Sequence, residues 1–251
     1  MARQKGILKL EGTIGDLTFY RSQGRYLARE KGGVDASRIQ NDPAFERTRE
    51  NGSEFGRADS SGKLLRNSLR ELLLKASDSR MVSRLTKEMM RALKMDTTNI
   101  RGARNVIDGD LSILSGFDFN QGAKLNTTAY FPYTISVDRP NGDVEINIPA
   151  FVPANGIAAP AGSTHARLIA GTAAVDFVGN VFEASNALSA NLLIGPQTEA
   201  PITLATTVSP ASTWAIFVAF GIEFFQEVNG NMYPLKNGAF NALSLVAIDL
   251  V

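Results

Sequence analysis

Apolar and polar residues follow three successive patterns along the chain, strand-like, helical and strand-like again, and each predicts its own elements. Over residues 6–30 they cluster as short strands do: Ile7, Leu8 and Leu10, then Leu17, Phe19 and Tyr20, then Tyr26 and Leu27, with Gly6, Gly12, Gly15 and Gly24 between them. Two or three short antiparallel strands are predicted. Strands that small bury too little surface to stand alone, so they are expected to pack on the helices, on the C-terminal half or on a neighbouring molecule.

From Asn41-Asp42-Pro43 onward the spacing turns helical. Asp42 can cap a helix, and proline in its first turn gives up no N–H that the helix needs. The pattern predicts a helix over 43–58 with Phe45 and Phe55 as core anchors, and Gly52 and Gly56 open to the approach of another backbone. A second helix is predicted over 61–76, carrying Leu65, Leu69, Leu72 and Leu73 on one face, and a third over 78–95. At 100° per residue the third separates Val82, Leu85, Met89 and Leu93 from a basic stripe of Arg80, Arg84, Lys87, Arg91 and Lys94. Helices two and three, joined at Ser77-Asp78-Ser79, predict a helical hairpin whose apolar faces pack together and on a sheet.

Beyond about residue 117, β-branched and aromatic residues dominate and turn signals recur. Strands are predicted over 130–137 and 144–148 around Pro140-Asn141-Gly142, and over 213–228 and 232–235 around Asn229-Gly230, with others near 166–177, 187–194, 202–208 and 243–250. The expected fold class is therefore α+β. Short N-terminal antiparallel strands and a helical hairpin form a domain over 1–116, and an immunoglobulin-like β-sandwich occupies 117–251. Such a fold carries no activity of its own.

The formal net charge of +1 conceals a division. Residues 1–110 hold 22 Lys and Arg against 15 Asp and Glu, whereas residues 111–251 hold 4 against 10. A basic half can meet an external polyanion or the acidic half of another copy. The 251 residues include no cysteine, which excludes disulfides, thiolate metal sites and a cysteine nucleophile. The apolar run at 214–225 is interrupted by Gly221 and Glu223 and is too short for a membrane-spanning helix. Its N-terminus lacks the pattern of a secretory signal, so synthesis in the cytoplasm is expected, with a final location either in an extracellular assembly or in a virion.

Chemical motifs are sparse. Residues 56–63 have the wrong spacing for a phosphate loop and place Leu64 where a metal-binding hydroxyl belongs; Asp108-Gly109-Asp110 reads as a turn. His165 follows Ser163 and Thr164, but catalytic triads assemble from distant segments. Glu223 and Glu227 share a strand face, a conceivable hydrolase pair, and with the Asp143 to Glu145 loop they define a glycan-binding alternative. No catalytic, metal or cofactor-binding residue is assigned, and no cofactor is expected.

Three segments, Gly12-Thr13-Ile14-Gly15-Asp16-Leu17-Thr18-Phe19-Tyr20, Asn41-Asp42-Pro43-Ala44-Phe45 with Arg47-Thr48-Arg49-Glu50-Asn51, and Met232-Tyr233-Pro234-Leu235-Lys236-Asn237-Gly238, resemble an uncharacterised family of Bacteroidota proteins. The resemblance implies the same layout of glycine-punctuated strands, helices and a β-sandwich, and no activity or site residue. The function expected is that of a non-enzymatic structural subunit that assembles with itself into a filament, tube or phage-tail-like particle. Ile7, Leu8, Leu10, Leu17, Phe19 and Tyr20 are the expected assembly residues, through strand exchange and basic-to-acidic contact. A nucleic-acid-binding protein using the basic stripe is the alternative.

Overall fold

A computed structural model describes residues 2–30 and 33–250. The chain divides into two compact units, one ending at Asn51 and one beginning at Gly52.

The first unit contains β1 (Ala2–Arg3), β2 (Gly12–Ile14), β3 (Leu17–Ser22) and β4 (Arg25–Glu30), joined in an antiparallel sheet of order β1-β4-β3-β2. Both residues of the Gln23-Gly24 turn have positive φ, 50° and 74°, which matches the twist of a tight hairpin. Ile7, Leu8 and Leu10 were expected in a strand but lie in the loop between β1 and β2. The reason is local competition. Gln4 Oε1 accepts from Leu10 N, its Nε2 donates to Leu10 O and Leu27 O, and Lys9 Nζ donates to the carbonyls of Gln4 and Gly6. Side-chain bonds of this kind satisfy backbone groups that a strand would otherwise pair. A short helix, α1 (Ala36–Asn41), leads to a 3₁₀ turn, Pro43–Phe45, whose Ala44 N–H is capped by Asp42 as expected.

Two helices were expected between residues 43 and 76. The structure has one long helix, α2 (Glu46–Ser68), and one short turn, α3 (Arg70–Leu73), followed by α4 (Met81–Lys94). Helix α2 continues through Asp59-Ser60-Ser61-Gly62, and Gly62 is buried against α4, where a Cβ would meet Met89 Cγ at 3.6 Å and Leu85 Cγ at 3.8 Å in ordinary contact. Gly52 and Gly56, expected at a close backbone approach, face open space. Likewise Val82 and Phe55, expected in the core, are exposed, and Met81, Leu85, Met89, Ala92 and Leu93 form the buried face of α4.

After α5 (Leu125–Thr128), the strands β5 (Thr134–Asp138), β6 (Asp143–Ile148), β7 (His165–Asp176), β8 (Val181–Leu188), β9 (Leu192–Leu193), β10 (Ile202–Thr207), β11 (Ala215–Val228), β12 (Asn231–Pro234) and β13 (Ala242–Asp249) form two antiparallel sheets. One has the order β10-β6-β5; in the other β11 and β7 are central, flanked by β12 and β13 on one side and by β8 and β9 on the other. The strand expected over 187–194 is split between the end of β8, which begins earlier at Val181, and the two residues of β9. The Asn229-Gly230 turn has positive φ at both residues, whereas around Asn141 only Gly142 does, so β5 and β6 close through a four-residue loop.

Alternate residues of the central strands enter different cores. Ile169, Ala173 and Val175 of β7, Phe217 and Ala219 of β11, and Leu243 and Leu245 of β13 pack with Leu65, Leu72, Leu85 and Met89 of the helices. Leu168, Ala170 and Ala174, with Ile216, Val218, Phe220, Ile222 and Phe224, pack with Val144, Ile146, Ile148 and Leu204 of the smaller sheet. The second unit thus has three layers, helices on sheet on sheet. At Gly221 a Cβ would lie 2.2 Å from Ala242 O, so only glycine allows β11 and β13 to approach there. Between the sheets the Thr172 and Thr206 hydroxyls meet at 2.6 Å inside the core.

This packing moves the division expected at 116/117. The compositional change there is real, but the leucine faces of α2 to α4 are covered by β7, β11 and β13, so residues 52–116 share a core with the strands that follow.

Candidate functional site

Of the predicted assembly residues, Leu17, Phe19 and Tyr20 lie on a sheet, Tyr20 on the face opposite the other two, while Ile7, Leu8 and Leu10 lie in the loop before it. Residues directly opposite in an antiparallel pair share a face. Register therefore places Ile14, Leu17, Phe19, Tyr26 and Ala28 together with Arg21 and Glu30, and Arg3, Thr18, Tyr20, Arg25, Leu27 and Arg29 on the other side. Arg21 stands 5.5 Å from the ring of Tyr26 and Arg29 stands 5.6 Å from that of Tyr20, so part of the basic charge is spent on cation–π contact within the sheet. Among the described residues of β1 to β4 none is buried: Leu17 and Ile14 are exposed, Phe19 and Tyr20 half-buried. Ile7 and Leu8, in the preceding loop, are almost wholly exposed, and Leu10 is exposed as well.

The basic stripe does not survive as five equivalent cations. Arg84 is structural: it donates to Asp78 Oδ2 at 2.6 Å and to the carbonyls of Asp118 and Phe119 at 2.7 and 3.1 Å, and lies 5.0 Å from the Phe117 ring. Burial pushes the Asp78 carboxyl up, but the N–H groups of Gln121 and Arg80 and the Arg84 guanidinium outweigh it and hold its pKa below the ordinary value. Arg80 precedes the first turn of α4 and is exposed, and Arg91 pairs with Glu88 at 2.5 Å. Lys87 and Lys94 are exposed, and both border a groove of about 630 Å³. Its floor is Phe55 of α2 with Val82 and Met90 of α4, and Thr86 donates to Asp59 at 3.1 Å in its wall.

The carboxylate pair separates into two settings. Glu223, 3% exposed, is held by Arg167 at 2.5 Å and by Lys75 at 3.5 Å; these partners tie β11 to β7 and to the turn after α3. Glu227 is partly exposed and reaches His165 Nδ1 at 3.8 Å, and that ring nitrogen also lies 3.0 Å from Thr164 Oγ1. Ser163 Oγ donates to Pro160 O. Glu145 accepts from Asn147, and Asp143 is exposed at the start of β6. The Gly56 to Lys63 stretch lies inside α2, so its backbone N–H groups serve the helix.

Sequence reasoning passed over two buried acids. Glu54 accepts from Gly102 N, and Asp96 accepts from the N–H groups of Thr98, Asn99 and Asn105. Burial opposes ionisation of Asp96, yet these donors hold its pKa at about 2. Both organise the loop after α4. The available signal was an acid followed within three residues by Thr and Asn, which fits a turn as readily as a site. Among the described residues no group of three or more His, Asp or Glu is placed to hold a metal ion, and no helix is long and apolar enough to cross a membrane.

No known protein family matches this chain, and no curated protein is similar to it. A solved structure, the crystal structure of human F-spondin reeler domain (fragment 1), aligns at 15% identity over 47% of this chain and 89% of that chain, with a TM-score of 0.20. Similarity at that level carries no argument about fold or function.

Proposed function

We propose that the chain is a non-enzymatic structural subunit that assembles with copies of itself into a filament, tube or tail-like particle. The observation that supports this reading best is the N-terminal sheet, in which Ile14, Leu17, Phe19 and Tyr26 share a face and no described strand residue is buried. A four-stranded sheet with so little burial is marginal in water, and a second copy's sheet is a cover that every assembling chain brings with it. The short outer strands β1 and β2 leave edge groups for strand exchange, and the opposite charges of the two halves of the sequence favour an ordered contact between copies. The immunoglobulin-like reading of residues 117–251 is a proposal of the same kind, supported by antiparallel pairing in both sheets and their shared interior.

The nucleic-acid alternative now rests on Arg80, Lys87, Arg91 and Lys94, because Arg84 is engaged internally. The glycan alternative has lost Glu223 to its two cations.

Sedimentation velocity of the full chain at low and high salt tests the proposal, with a Leu17→Lys, Phe19→Lys variant beside it. Species larger than a monomer are expected for the unchanged chain and a monomer for the variant. A monomeric unchanged chain at both salts, or a variant that assembles normally, overturns it.

A further inference from the structure

The groove between α2 and α4 has a composition that neither the layered core nor the N-terminal sheet explains. Phe55 is 57% exposed and Val82 is 42% exposed, although both sit on helices whose other faces are well packed. With Met90 they form an apolar floor, and Lys87, Arg91 and Lys94 line one side of it at i, i+4 and i+7. That spacing puts a row of three cations about 10 Å long against an apolar trough. Across from them Asp59 is already occupied by Thr86.

We propose that this groove binds a single-chain anionic amphiphile, a long-chain carboxylate whose hydrocarbon lies on Phe55, Val82 and Met90 and whose head meets the cation row. Three features support that ligand class. The volume, about 630 Å³, falls within the range of small-molecule sites and exceeds what one acyl chain needs. The lining is mostly apolar, so an alkyl body gains from leaving water. The charge along the groove is net positive: Lys87 and Lys94 make no ion pair among the described residues and Arg91 is exposed although paired with Glu88, against the one lining carboxylate, Asp59. A cationic or neutral amphiphile gains the same burial without the electrostatic part.

Calorimetric titration of the full chain with dodecanoate below its micelle concentration tests this, with dodecylammonium as the charge control. One saturable site is expected for dodecanoate, with binding at least about tenfold weaker in a Lys87→Glu, Lys94→Glu variant and in Val82→Glu, and weaker for dodecylammonium. Circular dichroism and the melting temperature show that each variant is folded. All the substituted residues are exposed. Absence of saturable binding, equal affinity for the two amphiphiles, or undiminished binding by the lysine variant overturns the proposal. So does a result in which Val82→Glu leaves dodecanoate binding intact but changes the mass of the unchanged assembly, since the groove would then be an interface between copies. Self-association through the N-terminal sheet is read separately by sedimentation, so the two proposals can fail independently.

Discussion

Strands β3 and β11 are both rich in aromatic residues, yet they sit in opposite situations. In β11 an unbroken run, Ile216 to Phe225, is buried, because helices cover one face and the smaller sheet covers the other. In β3 no residue is buried, and the ring of its Tyr20 is approached by Arg29 of the same sheet. Strand propensity and aromatic content are alike in the two; what differs is the number of layers. A side chain contributes to stability through the water it leaves, so similar residues that hold the second unit together leave the first with surface to offer.

The largest effect should come from the central strands. Phe220→Ala removes a fully buried ring that packs against Phe131 and Tyr133, and should cost about 3–5 kcal/mol in urea unfolding. Glu223→Ala leaves Arg167 and Lys75 without their shared carboxylate and should cost about 3 kcal/mol by the same measurement, with Glu223→Gln recovering part of it. If either is as mild as a surface change, the layered account of β11 is broken.

Next in size is a pH effect. The pKa of Asp96 in the folded chain is about 2 against an ordinary 3.8, so its contribution to stability is complete above about pH 4 and is lost as pH falls towards 2. Protection of the amides of Thr98, Asn99 and Asn105 against exchange, relative to the intrinsic rate at each pH, should fall across that window, and in Asp96→Asn it should be low throughout. The smallest effect sharpens the contrast. Phe19→Ala should change the melting of the second unit by no more than about 0.5 kcal/mol while reducing assembly. A large loss of stability there would mean that β3 is held as β11 is.

Much of this division can be read from residue patterns, and its limits have physical causes. Alternation located β6, β10, β11 and β13 to within two residues, and Asn229-Gly230 marked its hairpin because its backbone requirement is local. The amphipathic α4 was legible for the same reason. The continuity of α2 was not: Asp59-Ser60-Ser61-Gly62 reads as a break, whereas in the fold Ala58, Leu64 and Leu65 on either side of it are buried in one core shared with distant strands. The shared core of helices and strands was also hidden, because its partners are distant in sequence. Of the candidate site, the cations were visible but their fates were not. Arg84 turned inward to carbonyls of residues 118 and 119, which no helical wheel displays.

The paired hydroxyls of Thr172 and Thr206 have a consequence for how the two sheets align. Apolar side chains on facing strands repeat every second residue, so a slip of two positions would still present oil to oil. Such a slip would part the two alcohols in a dry interior: Thr206 would keep the Val144 carbonyl at 3.3 Å, but Thr172 would lose the hydroxyl that stands in for water. One alcohol pair thus selects a single setting among several that greasiness alone would tolerate.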